Sequence, residues 1–307
     1  MQKWARGANP ALIAPDRPAQ RSRLLDDYLS ARSLTREALS RALDAGDDDI
    51  VFVTGSVIDG VSDSQSDLDI YILTSREGFA RRAAGFDDER RAQQERREFG
   101  IIYRDVLGHS LDAECHVTEK FVELLGELAR LQPLERGCLW RNFRNLGRFE
   151  RIEAVELLHR FRIGVPIHGE ARHGDLLQMF DEWKFFTWNT HFHLIESEDY
   201  IKGVKRSLRE PDEENAHLKL LRLYDSLADA KLFASGESLD RWKWRLPKLR
   251  KLGDGEFLEL YLNVQIGGGA RDALHDRVTS LLGRAESIHQ RLCEQLRKQD
   301  ERARRPV

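Results

Sequence analysis

The chain has 307 residues, 41% of them hydrophobic and 33% charged, enough for two domains of ordinary size around an apolar core. Its 49 Lys and Arg against 52 Asp and Glu leave a formal charge of −3, which argues against a protein whose main task is gripping a nucleic-acid backbone. Three scattered cysteines (Cys115, Cys138, Cys293) suggest neither a disulfide framework nor a zinc site, and no apolar stretch of about 18 residues is present to span a membrane. The opening residues carry no secretory pattern, so a reduced, soluble, cytoplasmic protein is the expectation.

In chain order, Pro10, Pro15 and Pro18 are expected to break any early helix, leaving residues 1–30 as an N-terminal extension. Thr35 to Ala45 has helical spacing, with Ala38, Leu39 and Leu43 on one side and Gly46 as a stop. Ile50 to Val53 is a short β-branched run and reads as a buried strand. A loop rich in Gly, Ser and Asp covers Thr54 to Ser66, and a second strand runs from Leu68 to Leu73. Arg81 to Arg97 is charged enough to be a solvated helix or an excursion. Phe99 to Tyr103 and Leu111 to Val117 predict two strands joined by a turn near Gly108. Thr118 then caps a helix with Phe121, Leu124, Leu125 and Leu128 on one face.

Beyond residue 130 strand signals largely stop, and helices are predicted over Ile152 to Phe161, Leu176 to Leu194 and Leu218 to Phe233. Leu274, Val278, Leu281, Ala285, Ile288 and Leu292 form a stripe at heptad-like spacing, which more often packs on its own domain but leaves a homodimer open. The aromatic group Trp183, Phe185, Phe186 and Trp188 reads as core. His191 and His193 point in different directions on a helix and do not suggest a metal pair.

The chemistry lies between residues 51 and 73. Alternation along the second strand puts Asp67 and Asp69 on one face, where two close carboxylates repel unless a cation bridges them or one stays protonated. Hard oxygen donors at this spacing suit Mg²⁺. In Leu111 to Val117 the same alternation puts Asp112, Glu114 and His116 on one face, so that Glu114 would complete a three-carboxylate cluster able to hold two metal ions. Gly55 lets the backbone approach a phosphate, and Ser56 can donate to it.

Gly55-Ser56, an interval of twelve positions, and Asp67-Leu68-Asp69 followed by a later acid-bearing strand resemble the polymerase-beta-like nucleotidyltransferase superfamily, in particular its aminoglycoside and small-molecule type. Ser66 also fits that pattern. The resemblance implies Asp67, Asp69 and Glu114 as catalytic and metal-binding residues, with Asp112 the competitor for the third acid. It implies Gly55, Ser56 and Ser66 at the nucleotide. The stretches Arg162 to Ile167 and Arg241 to Trp244 are similar to segments of the helical domains of small nucleotidyltransferases, which puts Lys243 forward as a triphosphate contact and Lys231 as reserve. Many members carry a basic residue just after Gly-Ser; Val57, Ile58 and Asp59 stand there here, so phosphate neutralisation is expected from metal and the helical domain.

The expected fold is therefore α/β (α+β): a nucleotidyltransferase-type mixed, twisted sheet in a catalytic domain over 31–130, followed by an all-helical C-terminal domain over 131–307. The implied reaction moves a nucleoside monophosphate, with ATP as the first candidate donor, onto an acceptor hydroxyl and releases pyrophosphate. Two Mg²⁺ ions and a nucleoside triphosphate are the implied cofactor and co-substrate. The acceptor is expected to be a small molecule, with a protein or RNA acceptor, or a regulatory nucleotide-binding module, as alternatives.

Overall fold

The computed structural model describes residues 17–62, 66–83, 98–106, 108–135, 144–267 and 273–304. The charged run expected as a solvated excursion falls almost wholly outside them, as does Cys138. The chain divides into a sheet unit, holding the described residues of Ala14–Arg130 and Arg144–Asp181, and a helical unit, holding those of Leu131–Phe143 and Glu182–Val307.

The sheet unit begins with α1 (Arg17–Ala31) and α2 (Arg36–Ala42). The early prolines do not prevent α1: Pro18 sits in the first turn, where its missing N–H has no intrahelical acceptor to lose. Thr35 caps α2 by accepting from the Ala38 amide at 3.1 Å. Five strands form one mixed sheet in the order β3-β4-β2-β1-β7. These are β1 (Ile50–Thr54), β2 (Asp69–Thr74), β3 (Phe99–Val106), β4 (His109–Val117) and β7 (Val165–His168). Strands β2 and β4 run parallel, and the other neighbours are antiparallel. A short hairpin, β5 (Asn145–Leu146) and β6 (Phe149–Glu150), stands apart from this sheet.

Strand β7 lies in a stretch expected to belong to the helical domain. The structure instead pairs it antiparallel to β1, with Pro166 opposite Phe52. Pro166 lacks a ladder donor, which an edge strand tolerates. The remaining helices of this unit are α3 (Ser56–Asp59), α4 (Arg76–Arg82), α5 (Thr118–Arg130), α6 (Arg151–Ile163) and α7 (Glu170–Met179).

Alternation along the strands divides the core in two. Val51, Val53, Ile70, Ile72, Ala113, Cys115 and Val117 pack with Leu25, Leu29, Leu39, Val57 and Phe79 from α1 to α4. The opposite face carries Phe52 and Tyr71, stacked with ring centroids 5.6 Å apart, and it meets Phe161 of α6 and His173 of α7. Phe121 of α5 packs on Phe161 with centroids 4.6 Å apart. The acids lie on this second face.

The helical unit contains α8 (Glu182–Arg209), α9 (Glu213–Ala234), a 3₁₀ turn (Trp242–Trp244), α10 (Arg245–Leu252), α11 (Gly255–Ile266) and α12 (Leu274–Arg304). The helix expected over Leu176 to Leu194 is in fact two, interrupted at Phe180 and Asp181. Phe185, Phe186 and Trp188 are buried, as their apolar bulk suggests. The α12 stripe is covered by its own unit: Val278, Leu281, Ala285, Ile288 and Leu292 are buried, and α12 packs on α8 and α9. The Tyr224 hydroxyl donates to the Leu281 carbonyl at 2.9 Å.

Candidate active site

Register assembles the acids. Thr54, the last residue of β1, lies opposite Asp69, the first of β2, and Asp69 lies beside Asp112 of β4. Paired residues share a face, so Asp69 and Asp112 are direct neighbours. Glu114 pairs with Tyr71, one side-chain repeat further into the sheet. Asp67, just before β2, and Asp112 are exposed, whereas the Asp69 side chain is 36% exposed and that of Glu114 is 25% exposed.

The groups act on one another electrostatically. Burial, and then the charges of Asp67, Asp69 and Glu114, push the Asp112 carboxyl above the ordinary aspartate value. Glu114 behaves oppositely. Burial alone would raise it, but the hydrogen bond and charge of His116, the Tyr71 hydroxyl and the Arg160 charge together hold it below the usual glutamate range. His116 Nε2 is 3.6 Å from Glu114 Oε2, and its ring lies against Tyr71 with an interplanar angle of 6°.

A cation stands in the middle of this face. Arg160 of α6 brings Nη1 to 2.9 Å from Asp69 Oδ2, with Arg160's own side chain only 2% exposed. In the sequence Arg160 is marked only as an arginine within the buried arc of α6 beside Leu158 and Phe161. Helix α1, expected as an extension, also contributes. The Tyr28 hydroxyl donates to the Ser66 carbonyl at 2.9 Å, and its environment includes the charges of Asp67 and Arg32. Arg32 stacks over the Tyr28 ring at 3.6 Å.

Gly55 has φ +86°, a backbone conformation that side chains rarely adopt. A Cβ there would lie 2.8 Å from Asp69 Cγ and closer still to its carboxylate oxygen. The glycine is thus required by the acid itself. Ser56, buried, follows as the first residue of α3. Lys243 belongs to the helical unit, where its ammonium sits 4.7 Å over the Trp244 ring; Lys231, in the same unit, is paired with Asp254 at 2.6 Å. His191 and His193 turn Nδ1 to local acceptors, the Pro133 carbonyl at 2.7 Å and the Glu196 carboxylate at 2.9 Å.

Among the described residues no group of three or more His, Cys, Asp and Glu side chains gathers closely enough to hold a metal ion. Asp69 meets Arg160 at 2.9 Å there, and Glu114 meets His116 at 3.6 Å. The donor chemistry nevertheless suits Mg²⁺, which commonly takes one or two carboxylates and completes its shell with phosphate oxygens and water.

No protein-family model and no curated protein matches the chain. Among solved structures, a nucleotidyltransferase-like protein from Exiguobacterium sibiricum 255-15 superposes with a TM-score of 0.45 at 12% sequence identity, over 82% of this chain and 71% of that one.

Proposed function

We propose that this protein is a nucleotidyltransferase that moves a nucleoside monophosphate from a nucleoside triphosphate, ATP being the first donor to test, onto an acceptor hydroxyl. The observation that carries the reading is the register that sets Asp69 directly beside Asp112, with Glu114 two residues further along the same face of β4 and Asp67 just before β2. Mutually repelling carboxylates at one strand end are a feature a divalent cation relieves. The near-balanced charge of the chain supports a small-molecule acceptor over nucleic acid.

In this reading Asp67 and Asp69 would hold Mg²⁺, with Asp112 or Glu114 as the acid from β4; register favours Asp112. When bound, Mg²⁺ supplies positive charge to the triphosphate and to the attacking oxygen. Gly55 keeps room for the Asp69 carboxylate, and Arg160 orients it. As the acceptor oxygen bonds to the α-phosphorus, the bond to the β-phosphate oxygen breaks and its electron pair leaves with pyrophosphate. Asp112, exposed and with a raised proton affinity, suits the role of taking the hydroxyl proton.

A second reading, a module that binds nucleotide without turnover, is favoured by the Arg160–Asp69 pair, which already neutralises one acid. Both are tested by incubating the protein with Mg²⁺ and each nucleoside triphosphate labelled at the α-phosphate, with and without cell extract. Pyrophosphate release with label on a small molecule supports transfer. Label on protein or RNA changes the acceptor, and nucleotide binding without label supports the module. Neither label nor binding with any triphosphate defeats both.

A further inference from the structure

Arg160 buries a full charge on the sheet face where the aromatic rings of Phe52, Tyr71 and Phe161 meet the acids. It is held from several directions. Its carbonyl accepts from Thr54 Oγ1 at 2.9 Å, and Thr54 is the register partner of Asp69. Its guanidinium carbon lies 5.9 Å from the Tyr71 ring centroid, and Nη2 is 3.8 Å from Glu156 Oε1. A guanidinium this enclosed is badly placed to follow a phosphate in solvent. Its charge faces the acids beside it instead, with Nη1 2.9 Å from Asp69 Oδ2. A buried cation next to a carboxylate has two consequences. It fixes where the carboxylate points, and it repels any second cation approaching the same oxygens.

We infer that Arg160 is a positioning residue that sets how strongly the acid cluster takes up a divalent cation, holding the Asp69 carboxylate in place while competing with the cation for it. The inference rests on the nucleotidyltransferase reading of the same site. Glu156 modulates the competition, because it draws on Nη2 of the same guanidinium while Asp69 meets Nη1.

The test is Mn²⁺ binding to the full chain, followed by electron paramagnetic resonance of free Mn²⁺, with transfer kinetics alongside. Arg160→Gln is expected to bind Mn²⁺ about ten-fold more tightly while kcat falls, because the repulsion is gone and Asp69 is no longer held. Arg160→Lys, which keeps the charge, should return the affinity to within about two-fold of the natural protein. Glu156→Gln commits Arg160 more fully to Asp69 and should weaken Mn²⁺ binding about two-fold. The Glu156 side chain is half-buried and Gln keeps its shape, so this variant decides the matter if Arg160→Gln does not fold. Unchanged Mn²⁺ affinity in folded Arg160→Gln, or unchanged or tighter binding in Glu156→Gln, overturns the inference while leaving the site reading standing. Natural protein that binds no Mn²⁺, or binds it equally well as Asp69→Asn, overturns the site reading and this inference with it.

Discussion

Gly55 and Asp69 occupy space that only one of them can fill: a Cβ on residue 55 would lie 2.8 Å from the Asp69 Cγ. The left-handed φ of +86° adds backbone strain to any replacement. Gly55→Ala is therefore expected to displace the Asp69 carboxylate from Arg160 and to destabilise the sheet unit by about 1–3 kcal/mol. Urea unfolding gives the stability and nucleotidyl transfer the activity. A variant with natural stability and natural transfer rate would show that the turn relaxes without moving the acid.

Asp112 is expected to trade stability for chemistry. Its folded-state pKa lies above the ordinary value of 3.8, so the folded protein prefers it protonated, and stability is lost as pH rises through the folded pKa. At pH 7 Asp112→Asn should raise the Tm and abolish transfer. Below the unfolded pKa the Tm advantage should vanish. Calorimetry at pH 7 and at pH values below the ordinary aspartate range measures both, and a lower Tm at pH 7 would contradict the electrostatic account.

His173 gives the sheet unit an acid-sensitive limb. It lies between Phe52 and Phe161, with ring centroids 5.6 and 4.8 Å away, and burial lowers its pKa from 6.5 to about 4. A base depressed in the folded state contributes stability that is complete above pH 6.5 and is lost as pH falls toward 4. The loss amounts to about 3 kcal/mol when the shift is converted at 1.36 kcal/mol per unit. His173→Phe should flatten this part of the stability profile. Equal slopes for the two proteins between pH 6.5 and 4 would assign the limb to other groups.

Arg245 is the charged centre of the helical unit. Its Nε is 2.6 Å from Asp229 Oδ1, its Nη2 is 3.0 Å from Oδ2, and its Nη1 is 2.8 Å from Asp225 Oδ1. Tyr261 donates to the same Asp225 oxygen at 2.9 Å. Arg245→Met leaves Asp229 without this cation, and Asp225 with only the exposed Arg222 at 3.6 Å, and should cost about 3–5 kcal/mol. Arg245→Lys keeps the charge but loses the two-pronged contact, so it should fall between the two. Denaturant titration of the three proteins checks the order.

The strands that carry the acids were legible in the sequence because their signal is local. The alternation from Leu111 to Val117 states which side chains share a face, whatever lies beyond them, whereas Asp67 and Leu68, expected at the start of the second strand, fall just before it. The α12 stripe was equally plain, and its burial follows from spacing alone. Strand β7 was not legible: four residues containing a proline have no strand pattern of their own, and only pairing with β1 makes them one. Helix α1 was hidden by prolines whose effect depends on where in the helix they fall.

What the sequence determined by itself is the alternation that puts Asp112 and Glu114 on one face of β4 and the glycine ahead of Asp69, since both are properties of a few consecutive residues. Tertiary structure decided which acid stands beside Asp69 and which cation faces it. Asp112 rather than Glu114 is the direct neighbour because β2 and β4 pair in one register, and register is a relation between segments some forty residues apart. Arg160 reaches Asp69 because α6 packs on that face of the sheet, about ninety residues further along the chain, and no local pattern encodes a contact between side chains so distant in sequence.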